Sequence, residues 1–438
     1  MSNYIIYSKI VHFSDRLGSV NTFRLHHVEL LQSHFLAKLF MILVVMFATD
    51  VNGAQDFIIE KKLGNNYEEI RLIKKYGLFK KYVCSFHCLQ LNPANKDELW
   101  FAIKYTKPAK LAKTMPDNQG SGVGCYNWKT GEIGFLSVKD GLVSNDVSVI
   151  AFDPFNRNLI WFGGSRGISL YDKKSKTFTN YSEVSGNAVY DVCEIEFDPY
   201  NTSSVWIAYT GKIMHFYRNT QRLELIEIDS QDMHKRSLEV ENNSVWFASR
   251  VLLGRYYKKK RTTTYYEVND FFEGVTPVGK SFPKMDKRNR NKLLKNKFIL
   301  SIELLNHTLY VGTSDGVTCF VPEIGWEQMF TLKGITKIVK SEDKDVLWIF
   351  TRSGKIIAYN AKNHEIREFR GRINGSFLYS GRNFLYLGRE RLNVRKLELD
   401  KQYSERVPVP HGQQINSVLP VGRIVYFAAS KGLYKMFF

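Results

Sequence analysis

Between Asp140 and Val184 the chain is a succession of short apolar runs, VSVIAF, LIWFGG, GISLYD and TFTNYS, rich in β-branched and aromatic residues and bounded by Gly, Asn, Asp or Ser. Runs of that length and punctuation predict four consecutive antiparallel strands joined by tight turns. The next segment repeats the order as VCEIEFDPYN, SVWIAY, KIMHFYR and LELIEI. One four-stranded unit is followed by another.

An aromatic residue in the second strand marks each unit: Trp100, Trp161, Trp206, Trp246, Tyr310, Trp348, Tyr386 and Tyr426. Five of the seven gaps between markers run from 38 to 45 residues, and the other two, of 61 and 64, carry insertions. A repeat near forty residues with four strands is the period of a propeller blade, in which a large ring fills the wedge between neighbouring sheets. The last copy has INSVLP, RIVYFAAS and GLYKMFF, three strands only, while EEIRLIKKYGL ahead of the first copy matches a fourth. Pairing the two ends closes a ring and removes the free sheet edges. The chain therefore reads as all-β, a single β-propeller over residues 67–438 with eight four-stranded blades, latched by its N- and C-terminal strands. Seven blades stay open because the seventh copy, FLYSGRNFLYLGRERLNVRKLELD, is degenerate.

Ahead of the ring, Leu39 to Ala48 form the ten-residue run LFMILVVMFA, preceded by Lys38 and followed by TDVNGAQ. Ten apolar residues fall short of the roughly 20 that cross a hydrocarbon core, and the flanks have signal-peptide anatomy with cleavage near Gly53 or Ala54. This predicts residues 1–54 as an N-terminal extension and signal peptide, with translation starting later than Met1, and residues 55–66 as a linker. The expected location is extracytoplasmic, periplasmic or secreted. Five cysteines, Cys84, Cys88, Cys125, Cys193 and Cys319, are too few and too irregular for a disulfide framework or a paired metal knuckle.

The second copy carries Gly141, Leu142, Ser144, Asn145, Val147, Trp161, Gly163, Gly167, Tyr171 and Asp172. In these residues it resembles the two-component-regulator propeller repeat. Gly316 and Val317 in the fifth copy and Gly432 and Leu433 in the eighth keep the start of the third strand. The resemblance implies the propeller fold and an extracytoplasmic sensing or interaction role, without kinase activity.

Charge changes the picture next. Lys and Arg number 62 against 43 Asp and Glu, a formal balance of +19, which makes anionic partners plausible. Much of the excess falls in insertions. Residues 104–124, between the second and third strands of the first copy, carry Lys104, Lys107, Lys110 and Lys113; residues 271–297, between the fourth and fifth copies, carry Lys287, Arg288, Arg290 and Lys292 among others. Connections of those two kinds open on the same face of a propeller, so both insertions should project from one rim. Next to the second insertion in sequence, RYYKKKR adds Arg255, Lys258, Lys259, Lys260 and Arg261 around Tyr256 and Tyr257, residue types that hold phosphate, sulfate or uronic carboxylate while stacking rings.

Candidate catalytic chemistry is sparse. Asp153-Pro154 and Asp198-Pro199 recur at equivalent positions, each followed by an Asn two residues on, and read as turn formers. His87 aligns with Ser148 and Cys193 on first strands and is a channel-lining candidate. No catalytic residue, metal ligand or cofactor is assigned. The leading reading is an exported, non-enzymatic ligand-binding or protein-interaction propeller whose basic rim meets an anionic polysaccharide, membrane headgroups or a protein, with nucleic acid disfavoured. The alternative is a glycan-active propeller enzyme, a polysaccharide lyase or glycoside hydrolase, with carboxylates drawn from several blades.

Overall fold

The computed structural model describes residues 44–46, 57–63, 67–76, 80–105, 120–209, 212–226, 237–249, 252–268, 298–322, 324–342, 345–369, 376–381, 384–388, 394–399, 404–407 and 414–437, all within the compact unit Leu43–Phe438. Eight antiparallel blades follow one another along the chain, and each adds its strands in sequence order. The first strands are Lys80–Asn92, Val147–Phe152, Glu194–Phe197, Ser237–Val240, Ile299–Leu305, Ile335–Lys340, Ser376–Ser380 and Ile415–Val421. The eight-blade count holds, and the degenerate seventh copy is a full four-stranded sheet ending at Ser404–Val407.

The latch is also in place. Tyr67–Tyr76 pairs antiparallel with the last strand, Leu433–Phe437, in the register Tyr67↔Met436 to Ile70↔Leu433, and so supplies the eighth blade with its fourth strand. Its far end turns directly into the first blade through Ile73↔Val83 to Tyr76↔Lys80. Residues 55–66, read as a linker, contain the strand Phe57–Leu63, which pairs with the other side of Tyr67–Tyr76 and widens the eighth blade outward. Val44–Met46, inside the apolar run, pairs in turn with that strand.

Second strands are enclosed on both faces, as their unbroken apolar sequences predict: every residue of Ser204–Tyr209 and of Val346–Thr351 is buried, whereas Thr177–Tyr181, a fourth strand, is exposed or half-buried throughout. All eight marker aromatics are at most 5% exposed. Each packs across to a neighbouring blade. Trp100 lies with Leu142, Val147, Ile150, Ile160 and Phe162 of the second blade, and Trp206 with Leu238, Val245 and Phe247 of the fourth. Gly163 is required here, because a Cβ at that position would sit 2.5 Å from Cγ1 of Val192 on the approach to the third blade. Core packing accounts for the repetition of these rings.

Candidate functional site

Antiparallel strands alternate in direction, so the turns joining first to second and third to fourth strands gather at one end of the ring, and the other connections gather at the opposite end. Backbone bonds tie the first set together within blades: Lys173 N donates to Asn158 O at 2.9 Å, Arg218 N to Ser203 O at 2.9 Å, and Lys258 N to Asn243 O at 3.0 Å. At the other end Ser165 N donates to Asp146 O at 3.0 Å, and Lys104 reaches across from the first blade to the same Asp146 at 2.9 Å. We call these the turn face and the insertion face.

This geometry separates two groups of basic residues that adjoin in sequence. Lys104 closes the second strand of the first blade at the insertion face. Lys107, Lys110, Lys113, Lys287, Arg288, Arg290 and Lys292 lie outside the described residues. Lys258 to Arg261 form the turn between the third and fourth strands of blade 4, Leu252–Tyr257 and Thr262–Val268, and stand on the turn face, at the opposite end of the blade from Val268.

Three of the five RYYKKKR cations are engaged by carboxylates. Arg255 pairs with Glu241 at 2.7 Å and its guanidinium lies 4.7 Å from the Trp246 ring centre. Lys258 reaches Asp198 of the preceding blade at 2.6 Å, and Arg261 pairs with Glu224 of that blade. Lys259 and Lys260 are exposed.

The Lys258 contact belongs to a repeated stitch. Asp198 accepts backbone N–H bonds from Tyr200 and Asn201 through Oδ1, the turn role expected of it, while Oδ2 accepts from the Trp206 indole at 3.2 Å and from Lys258. Asp153 does the same one blade earlier, capping Phe155 and Asn156, accepting from the Trp161 indole at 3.1 Å, and pairing with Arg218 of the third blade. Both carboxylates are at most 1% exposed. Glu98 accepts from Trp100 and Glu241 from Trp246 in the first and fourth blades. The sequence reading of a plain turn missed the second half of this role, because the partner cation sits one blade away.

The central channel holds an arrangement that the sequence reading did not assign. On first strands, the residues paired with the marker aromatics of the third, fourth and fifth blades are all glutamates: Glu196↔Trp206, Glu239↔Trp246 and Glu303↔Tyr310. Glu194 adds a fourth carboxylate and accepts from Leu238 N at 3.0 Å. Lys340, on the first strand of the sixth blade, reaches Glu239 at 2.7 Å and Glu303 at 3.5 Å. Burial raises all four carboxyls, and like charge adds to it at three: Glu196 goes up to about 7 with Glu239 beside it, Glu194 well above its ordinary range, and Glu303 upward by burial and by Glu239, while Glu239 is raised by burial against the pull of Lys340. Burial alone would lower the Lys340 ammonium, but Glu239 and Glu303 hold it above the usual lysine value. A cavity of about 450 Å³ opens beside this arc between the first strands of blades 1 to 3, lined by Gln90, Ala151, Glu194 and Glu196 among others.

His87 stands on the first strand of the first blade, half-buried, 3.0 Å from Ser85 Oγ and 3.5 Å from Asn416 of the eighth blade. Burial, with Lys104 nearby, lowers its pKa to about 4, so the imidazole is neutral at physiological pH. Its ring is held between Ser85 and Asn416. Among the described residues no cluster of His, Cys, Asp and Glu is arranged to hold a metal, and none of the five cysteines forms a disulfide, Cys84 and Cys319 being buried and Cys193 exposed.

No protein-family model matches the chain, and no curated protein does. Among solved structures it is similar to Sqt1 of Saccharomyces cerevisiae, with a TM-score of 0.56 at 12% identity over 82% of this chain and 97% of that one. Sqt1 of Chaetomium thermophilum, bound to the N-terminus of the ribosomal protein L10, aligns with a TM-score of 0.54 at 11% identity over 81% and 97% of the two chains. The computationally designed Ika8 protein does so at 0.54 and 11% over 81% and 96%. At these identities the likeness extends to the fold.

Proposed function

We propose that the protein is a non-enzymatic interaction propeller, exported from the cytoplasm, that recognises an anionic polymer or surface through its basic exterior. One observation carries the reading: on a chain with a formal balance of +19, Lys174, Lys176, Arg222, Lys259 and Lys260 stand exposed with no carboxylate partner among the described residues, while several carboxylates are taken up internally. Asp153, Asp198 and Glu241 are held in the stitches between blades, and Glu194, Glu196, Glu239 and Glu303 face the channel with one lysine among them. The formal balance of +19 adds a general attraction for anions. The two-component-regulator resemblance in the second blade and the solved structure of Sqt1 with a bound protein N-terminus are in keeping with a binding role on this scaffold. The expected result is salt-dependent retention of the full chain on immobilised heparin and not on a neutral dextran matrix. Retention should fall when Lys287, Arg288, Arg290 and Lys292 are changed to Ala. Equal elution from both matrices would sink the reading.

The glycan-active alternative draws on the channel arc, where carboxyls kept protonated near neutrality have the character of general acids. Under that reading the protein releases new reducing ends from an acidic polysaccharide, and Glu196→Gln abolishes the release while leaving the fold intact. Binding without product formation decides for the interaction propeller.

A further inference from the structure

The turns between third and fourth strands of three consecutive blades are all basic and all stand on the turn face. Blade 2 contributes Lys173, Lys174 and Lys176, blade 3 Arg218 and Arg222, and blade 4 Lys258 to Arg261. The first cation of each turn is taken up by the molecule itself: Lys173 lies over the Phe152 ring at 5.7 Å, while Arg218 and Lys258 pair with Asp153 and Asp198. The cations that follow, Lys174, Lys176, Arg222, Lys259 and Lys260, are exposed, and none has a carboxylate partner among the described residues. No other three consecutive described turns of this kind share the character: that of blade 6 mixes Lys362 with His364 and Glu365.

Beside this arc stand two rings at matching positions in the turns between first and second strands. Phe155 follows Asp153-Pro154 and is 43% exposed; Tyr200 follows Asp198-Pro199 and is 49% exposed. Neither is required by the turn, whose bonds come from the Asp side chains and backbone. Each ring has a cation of the next blade beside it, Arg218 at 5.2 Å from Phe155 and Lys258 at 5.9 Å from Tyr200. Flat, half-exposed rings repeated from blade to blade on the same face as the exposed cations suit a repeating chain of pyranose rings bearing negative groups, whose apolar ring faces pack on aromatics while its charges meet ammonium and guanidinium groups.

We propose that the turn face of blades 2 to 4 binds an anionic polysaccharide, the cations of Lys174, Lys176, Arg222, Lys259 and Lys260 meeting its sulfates or carboxylates and Phe155 and Tyr200 stacking on its sugar rings. This rests on the reading of the protein as a binder of anionic polymers and places a contact surface at the end opposite the insertion face. The test uses the full chain, dissolved heparin, polygalacturonate, neutral dextran, duplex DNA and vesicles with phosphatidylserine. The variant carrying Gln at all five cationic positions binds heparin or polygalacturonate about tenfold more weakly than the wild type, with a shallower salt dependence. The double variant Phe155→Ala and Tyr200→Ala weakens polysaccharide binding severalfold yet elutes with the wild type from a plain sulfonate exchanger, which reads charge alone. Wild-type affinity in the five-Gln variant, with loss confined to the Lys287, Arg288, Arg290 and Lys292 variant, overturns the turn face and leaves the broader reading standing. Tighter binding to DNA or to vesicles than to either polysaccharide overturns the polysaccharide assignment, and no binding by the wild type removes both readings.

Discussion

Glu196 lines the channel cavity with its carboxyl raised to about 7, by burial first and by Glu239 second. A carboxyl whose pKa is higher in the folded chain than in the unfolded one favours folding in its protonated form. That contribution is complete below the ordinary value of 4.5 and disappears as the pH climbs through 7. The histidines act in the opposite sense: His87 and His215, both lowered to about 4 by burial, favour folding when neutral, a contribution complete above 6.5 and lost as the pH falls through 4. Above pH 6.5 the glutamates lead the trend, and toward pH 8.5 the thiols of Cys88 and Cys319, raised to about 11 by burial, begin to add a loss of the same sign. The wild type should therefore lose stability between pH 6.5 and 8.5, and Glu196→Gln should flatten the loss by about 1 kcal/mol, read from urea midpoints at the two pH values. Parallel pH profiles for the two proteins would mean that Glu196 titrates normally.

At the scale of a blade, the unit of stability is a marker tryptophan with its carboxylate. Trp161 and Trp206 donate to Asp153 and Asp198, but the Trp348 indole N–H is buried with no partner among the described residues. The register explains it. The turn position that is Asp153, Asp198 or Glu241 in blades 2 to 4 is Ser341 in blade 6, where the equivalent backbone bond, Ser341 N to Val346 O at 2.8 Å, is kept while the carboxylate is gone. Replacing each ring by Phe removes a donor in both places, but only at Trp206 does it break a bond and leave Asp198 short of one. Trp206→Phe should cost about 1–2 kcal/mol more than Trp348→Phe in chemical denaturation. Equal costs would leave the indole–carboxylate bond with no net role. The same register shows what was legible in the chain and what was not. Strand order, the marker rings and the latch could be read from hydrophobic pattern, because each is local or repeats at a fixed period. The channel glutamates could not: Glu196 precedes its marker by ten residues, but Glu239 and Glu303 precede theirs by seven, since the intervening turns differ in length. Only pairing puts the three on one side of one channel. The basic turns were visible as KKSK, RNTQR and KKKR, but their common face emerges only once each is seated at the same end of its sheet.

For the molecule as a whole, the ring is only as closed as the contact between its ends. Four residue pairs, Tyr67↔Met436 to Ile70↔Leu433, join strands more than 360 residues apart in sequence, and the side chains reinforce them: Tyr434 donates to Glu69 at 2.7 Å, with Glu69 only 2% exposed, and Arg71 reaches the same carboxylate at 2.5 Å. Contacts of such long sequence separation form late and carry a large loop-closure cost, so the latch should be the last element to assemble and the first to open. Opening it uncovers the edge of Leu433–Phe437, an unpaired template for strands of other chains. Ile70→Pro puts a residue without a backbone donor at the last of the four pairs, and Glu69→Ala removes the buried carboxylate that accepts from Tyr434. Both variants should keep the far-ultraviolet spectrum of the eight sheets. Both should also show hydrogen exchange that rises first in residues 67–76 and 433–437, together with concentration-dependent self-association on mild warming. Uniform loss of protection across all eight blades, with no early opening at the junction, would instead mean that the ring unfolds as one unit and that its closure is no weaker than any other seam.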